Sequence, residues 1–352
     1  MPKGVPGRVC RPGGRSGPPA ERSRMECVLE VAGLRKSFRP GLLKPRIEAV
    51  RGVSFAVAPG ECFGLLGQNG AGKTTTIKVA TGLLRPDAGR ATLLGRPCGD
   101  ATARRALGFL PENPYFHEHL TPREGLQVYG RLNGLDAATI AARSPALLGR
   151  VGLADAADRR LKGFSKGMRQ RFGLAASLLH EPELLILDEP LTGLDPGGRM
   201  LVKELIVEQR QLGRTVVLCS HVLADVEELC DRVVVLHRGQ VVREGTITEL
   251  LSSAPRSYEL CAQDLPAALA ARIAAQAVRC HRAGETLTAR FAGDRLGPEL
   301  AAEVHREGGR LLSLTPERES LEEWFVRLVR SEAPVEPSPP AAAPPALVEA
   351  GR

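Results

Sequence analysis

The sequence contains no uninterrupted run of 18 or more apolar residues, so no stretch of it crosses a bilayer as a helix by itself. Its charged N-terminus lacks the apolar core of a secretory signal. The eight cysteines are then expected as thiols in a reducing compartment. They are scattered (Cys10, Cys27, Cys62, Cys98, Cys219, Cys230, Cys261, Cys280) with no CxxC pair, which argues against zinc and against a disulfide framework. A strong charge of one sign is also missing. The net +8 falls apart along the chain: +5 in residues 1–24, +5 over the 306 residues 25–330, and −2 in the last 22. So mild an excess in the body of the chain gives a nucleic-acid partner little footing.

What is present is ample for two or three domains: 352 residues, 43% hydrophobic and 25% charged. Residues 1–25 are rich in Gly, Pro and Arg and read as a disordered basic segment, or as residues ahead of a start at Met25. Residues 332–352 are Pro/Ala-rich and read as a disordered tail. Between them, 26–254 alternates β-branched runs with amphipathic stretches. Strands are expected over 53–57, 61–66, 184–188 and 215–220, and helices over 73–83, 197–212 and 222–230. Such alternation predicts an α/β fold with a largely parallel sheet covered on both faces. Residues 255–331 predict a small α+β unit: strand 257–260, helix 266–278, alternation over 286–291, helix 298–307, strand 310–314 and a final helix over 320–330. Trp324 and Phe325 are expected in the core of that small unit.

Three segments carry chemistry. Gly67-Gln68-Asn69-Gly70-Ala71-Gly72-Lys73-Thr74 fits G-x-x-x-x-G-K-[ST] between a predicted strand and a predicted helix. Glycines there let backbone N–H groups turn inward around phosphate oxygens, and the helix N-terminus adds partial positive charge. Lys73 can reach the outer phosphates, and the Thr74 hydroxyl can bind Mg²⁺. The run 184–190 ends in Asp188 and Glu189, which puts two carboxylates at the ligand edge of a parallel sheet. Asp188 can hold the metal, and Glu189 can polarise a water. Ser165-Lys166-Gly167 precedes a helix and stands shortly before the acidic strand.

With this third segment the chain resembles the ATP-binding subunits of ABC transporters over about 26–250. That family has a phosphate-loop ATPase core with a mixed, mostly parallel sheet and a helical signature subdomain. Phe164-Ser165-Lys166-Gly167-Met168 corresponds to its LSGGQ signature, with the serine and second glycine kept. The resemblance implies two copies, or this chain and a similar ATPase, sandwiching ATP between phosphate loop and signature. It implies nucleotide contacts from 67–75, including Thr75, and from Ser165 and Gly167 across the dimer. Asp195, in Gly193-Leu194-Asp195, matches the loop through which the copies communicate. His221 matches the histidine that contacts the γ-phosphate, and Phe38 the aromatic that stacks on adenine. The segment 39–49 is longer than that hairpin needs, which leaves room for it to displace Phe38 from the site. After Leu107-Gly108-Phe109-Leu110-Pro111 the family has a glutamine, and this chain has Glu112, which can still ligate Mg²⁺. The stretch 113–120 falls where the family meets its membrane subunit, and His117 and His119 in it read as exposed loop. The end of the chain, 319–325, resembles ATPases of ABC-2 type exporters, which carry a small C-terminal α+β domain.

The function these resemblances imply is ATP hydrolysis powering export through a separate permease. The expected location is peripheral, on the cytoplasmic face of the membrane, with no nucleic-acid partner. The alternative is a soluble ATPase of the same superfamily acting on ribosomes or DNA. Against it, only about 90 residues separate phosphate loop from signature, with neither coiled coil nor zinc module, and the chain has one cassette.

Overall fold

The computed structural model describes residues 27–39, 41, 45–251, 256–293, 296–317 and 319–330. The expectations of disorder for 1–25 and 332–352 lie outside those residues. Strands β1 (Leu29–Phe38) and β2 (Ile47–Val57) form an antiparallel hairpin with Leu29 opposite Val57 and Phe38 opposite Ile47. Leu29, Val31, Leu34, Val50, Val53, Phe55 and Val57 are buried while most of their neighbours are not, the alternation of a sheet with one covered face. β3 (Cys62–Leu66) is buried throughout and leads through the glycine loop into helix α1 (Lys73–Ala80). β4 (Ala88–Leu93) and β5 (Arg96–Pro97) complete the antiparallel sheet in the order β2-β1-β4-β5.

Helix α2 (Ala101–Arg105) and strand β6 (Leu107–Leu110) precede a helical subdomain of α3 (Pro122–Leu132), α4 (Ala137–Arg150) and α5 (Lys166–Leu178). Each helix start is written locally. Thr121 with Glu124 makes a capping box, Asp136 caps α4, and Ser165 caps α5. The chain then alternates through β7 (Leu184–Asp188), α6 (Pro196–Gln211), β8 (Thr215–Ser220), α7 (Leu223–Leu229), β9 (Arg232–His237), β10 (Gln240–Thr246) and α8 (Ile247–Leu250). The main sheet runs β10-β9-β3-β8-β7-β6, parallel except for the β9–β10 hairpin. Its strands are near-continuous apolar runs because both faces are covered. Phe63, Leu65, Ile186, Val217 and Val234 pack toward α1 and the antiparallel sheet. Leu66, Leu185, Leu187, Leu218 and Val233 pack toward α5, α6 and α7.

The third sheet is antiparallel and built as β-α-β-β-α-β: β11 (Ser257–Gln263), α9 (Ala267–Gln276), β12 (Arg279–Ala283), β13 (Thr286–Ala292), α10 (Leu296–Arg306), β14 (Arg310–Glu317). The order β12-β13-β11-β14 gives a split βαβ arrangement with a core of its own, including Leu260, Ile273, Phe291 and Val304. β12 is an edge strand that the sequence pattern does not announce.

The final helix, α11 (Leu321–Arg330), corrects one expectation. Trp324 and Phe325 do not enter the core of the small unit. With Leu321 they join the apolar cluster on the α5–α7 side of the main sheet, at 7%, 5% and 0% exposure. The Leu321 N–H donates to the carboxylate of Glu227 in α7 at 3.0 Å, and Ser320 with Glu323 caps the helix. The reason is amphipathicity: a helix with one strong apolar stripe goes to the larger uncovered apolar surface within reach. Among the described residues, no helix is long and apolar enough to cross a membrane.

Candidate nucleotide site

The site grows from the C-terminal ends of β3, β7 and β8, three parallel neighbours. After β3 the backbone must turn at Gly67 and Gly72. A side chain at Gly67 would collide with the carbonyl of Leu236, and a Cβ on Gly72 would lie 2.6 Å from the carbonyl of Ala49. Gly72 also has φ +101, so only glycine lets the loop sit there and still open α1. Gly70 is left-handed too, with open space around it, while Gln68 and Asn69 are exposed at the rim. Ala71 is buried and closes the loop by accepting from Gly239 N–H at 3.0 Å. Lys73, the first residue of α1, is 7% exposed, and its ammonium donates to Gly67 O at 2.6 Å and Gln68 O at 3.4 Å. Thr74 and Thr75 follow, both half-buried.

Asp188 ends β7 at 1% exposure. Burial pushes its carboxyl above the usual carboxylate range. Hydrogen bonding from Cys219 and Thr74 pulls the other way, and the charges of Glu189 and Glu112 push it further up. Asp188 Oδ1 is buried without a protein partner. A carboxylate oxygen in that condition, beside the Thr74 hydroxyl and within the field of Glu112, suits a hard divalent cation taking oxygen ligands. Asp188, Thr74 and Glu112 therefore fit Mg²⁺.

Glu189 has φ +52, uncommon for a residue with a side chain. Its N–H is held by the carbonyl of Cys219 at 2.8 Å. Its carboxylate meets the Nδ1 of His221 at 2.8 Å and Lys73 Nζ at 3.9 Å. The structure thus gathers Lys73, Thr74, Glu112, Asp188, Glu189 and His221. Two supports were not visible in the sequence reading. Gln170, buried in α5, donates to Glu189 O at 3.4 Å, and the Thr192 hydroxyl donates to Glu189 Oε2 at 3.4 Å. Their signal is only position: Gln170 lies one turn into the signature helix on its buried side.

Ser165, Gly167 and Asp195 form a second group. Ser165 Oγ accepts from Met168 N–H at 3.2 Å. A Cβ on Gly167 would lie 3.2 Å from Gly193 O and from Leu194, so the signature helix and the Gly193–Asp195 turn pack directly on each other. Ser165 and Asp195 face solvent. Phe38 is 41% exposed at the tip of β1, two pairs beyond the Lys36–Val50 pair that abuts Gly72. Asp87 fixes that tip by accepting from Ser37 N–H and Lys36 at 2.9 Å and from Arg46 at 2.7 Å. Phe38 pairs with Ile47 in the hairpin. His117 and His119 are exposed, whereas Phe116, just before them, packs on Phe172 at 4.8 Å between ring centroids.

A phosphate loop on a parallel sheet edge, with two carboxylates and a histidine facing it, defines a phosphate-loop nucleoside triphosphatase. Residues 50–192 match the model of the ABC transporter family. The chain is 38% identical over 308 residues to an uncharacterised ABC transporter ATP-binding protein of Nostoc, covering 87% of this chain and 90% of that one. It is also 38% identical over 310 residues to the Nod factor export ATP-binding protein I of a Rhizobium, covering 87% and 98%. Among solved structures it resembles an ATP-binding subunit of an ABC transporter, with TM-score 0.58 and 36% identity over 63% of this chain and 91% of that one. A dimeric cassette bound to ADP and phosphate shares the fold with TM-score 0.58 at 22% identity, over 62% of this chain and 98% of that one. The chain belongs to the ATP-binding proteins of ABC transporters, and its activity is ATP hydrolysis coupled to transport.

Proposed function

We propose that this chain is the motor of an exporter, working as two copies, or beside a similar ATPase, closed head to tail on two molecules of ATP. The observation that carries this reading is the division of the site into two groups. Lys73, Asp188, Glu189 and His221 converge on one edge, while Ser165 and Asp195, at the starts of α5 and α6, face solvent. A second copy turned by a two-fold axis supplies each half with the other.

In the closed pair, the loop amides and Lys73 receive the phosphates, Lys73 leaving the Gly67 carbonyl to do so. Thr74, Asp188 and Glu112 hold Mg²⁺, which neutralises charge on the phosphate oxygens when bound. Glu189 takes the proton of the attacking water. His221, 2.8 Å from that carboxylate, holds it in line and contacts the γ-phosphate. Ser165, Gly167 and the start of α5 cap the γ-phosphate of the other copy. Phe38 stacks on the base. Hydrolysis releases the clamp, and the motion passes to a separate permease at the cytoplasmic face. The small unit, 255–331, is an accessory to the ATPase unit, 26–254. Export rather than uptake is supported by the relatives named for Nod factor export, matched along nearly their whole length.

Two experiments test this. Glu189→Gln is expected to slow hydrolysis by about 100-fold or more and to trap an ATP-bound dimer on a sizing column. Normal turnover in that variant removes Glu189 as the base. The subunit purified from membranes in mild detergent is expected to bring a polytopic membrane protein with it, with ATPase activity lost in Lys73→Ala. Ribosomes or DNA arriving in its place would keep the chemistry and overturn the transport assignment.

A further inference from the structure

We infer that Arg199 and Asp225 are positioning residues, which tie the loop carrying His221 to the loop carrying Asp195 so that the two shift as one piece. The inference rests on the reading of those loops given above. Asp225 is in the first turn of α7, four residues after His221, and is 2% exposed. Arg199 is in the first turn of α6, four residues after Asp195. One guanidinium nitrogen of Arg199 reaches both oxygens of Asp225 at 2.8 Å. Its other terminal nitrogen donates to Leu191 O at 3.4 Å, between Glu189 and Asp195, and the backbone N–H of Arg199 donates to Asp195 O at 2.9 Å. Lys203, one turn further along α6, approaches Asp225 at 3.0 Å and also reaches Glu228.

The placement is the argument. Apolar contact between two helices tolerates small slides, because it has no direction. A charged pair on a buried carboxylate does not, and breaking it leaves Lys203 alone to compensate the buried charge of Asp225. This pair sits at the loop ends of both helices, where any slide would displace His221 relative to Asp195. His221 serves the phosphate of its own copy and Asp195 faces the other copy, so a rigid link couples events at the two halves of the dimer.

The test is a double-mutant cycle in the full chain. Asp225→Asn is expected to lower kcat by about tenfold or more while the Kd for ATP stays within about threefold, because the glycine loop is outside the link. In a His221→Ala background, Asp225→Asn should then slow the enzyme no further. Arg199→Lys keeps a cation at a half-exposed position and should shift kcat in the same direction by less. Effects of His221 and Asp225 that multiply independently would overturn the inference, as would full kcat in a folded Arg199→Lys or Asp225→Asn protein. If Asp225→Asn fails to fold, the Arg199→Lys cycle with His221→Ala decides by the same criterion. A wild-type chain without ATPase activity would be a different failure, that of the proposed function.

Discussion

At the end of β7, Asp188 is surrounded by apolar strand residues, with Glu189 next in the chain and Glu112 near enough to repel it. Its native-state pKa is raised, so in the unfolded chain the group ionises at lower pH than in the fold. The fold therefore loses stability as pH rises from the ordinary carboxylate value through the raised pKa of the folded state, and the cost is complete above it. Asp188→Asn is expected to raise the melting temperature at pH 7 by a few degrees in buffer without metal or nucleotide, and to lower ATP turnover by about 100-fold or more. A lower melting temperature would show that this charge is compensated in the native protein. The phosphate loop, Asp188 and Glu189 are legible in the sequence because their chemistry demands particular residue types at particular places, and His221 only through the register of the family it resembles. Gln170 and Thr192 are not, since they act through the carbonyl and carboxylate of Glu189, and many residue types can do that.

At the scale of elements, Ser165 has two tasks that substitution can separate. It caps α5, and it is the proposed contact to the phosphate of the other copy. Ser165→Ala is expected to cost about 0.5–2 kcal/mol by loss of the cap. Ser165→Asp keeps a capping oxygen but sets a negative charge where a phosphate would arrive. Its melting temperature should match the wild type, while ATP-dependent dimerisation in a Glu189→Gln background should be lost. Normal dimerisation of Ser165→Asp would remove Ser165 from the phosphate contacts. Strands β3, β7 and β8 were readable as short buried runs. β12 was not: Arg279, Cys280, His281, Arg282 and Ala283 are all exposed at the edge of their sheet and carry no apolar alternation. The final helix α11 was readable too, but a helix with apolar residues does not name the surface it will cover.

Over the whole molecule, that surface proves to be the ATPase core, so α11 closes a cluster begun some 260 residues earlier in the chain, at Cys62. Trp324→Ala is expected to destabilise the protein by about 3–5 kcal/mol, seen as a lower denaturant midpoint in one cooperative transition. Two separate transitions with only the smaller one shifted would place Trp324 in the small unit instead. The small unit leaves from and returns to one place, since Arg256 N–H donates to Glu317 O at 2.9 Å. Replacing 257–317 by a short Gly/Ser linker should therefore leave a soluble ATPase that retains α11, whereas stopping the chain after 251 should give an aggregating one. Soluble, active protein from the second truncation would show that the cluster does not need α11. The same closing contact bears on synthesis. Translation proceeds from the N-terminus at ~5–20 residues per second, and Leu321 follows Leu250 by about 70 residues. For those several seconds the nascent ATPase unit has its phosphate loop and all its strands, yet holds an apolar gap on α7 open to the chaperones at the ribosome exit.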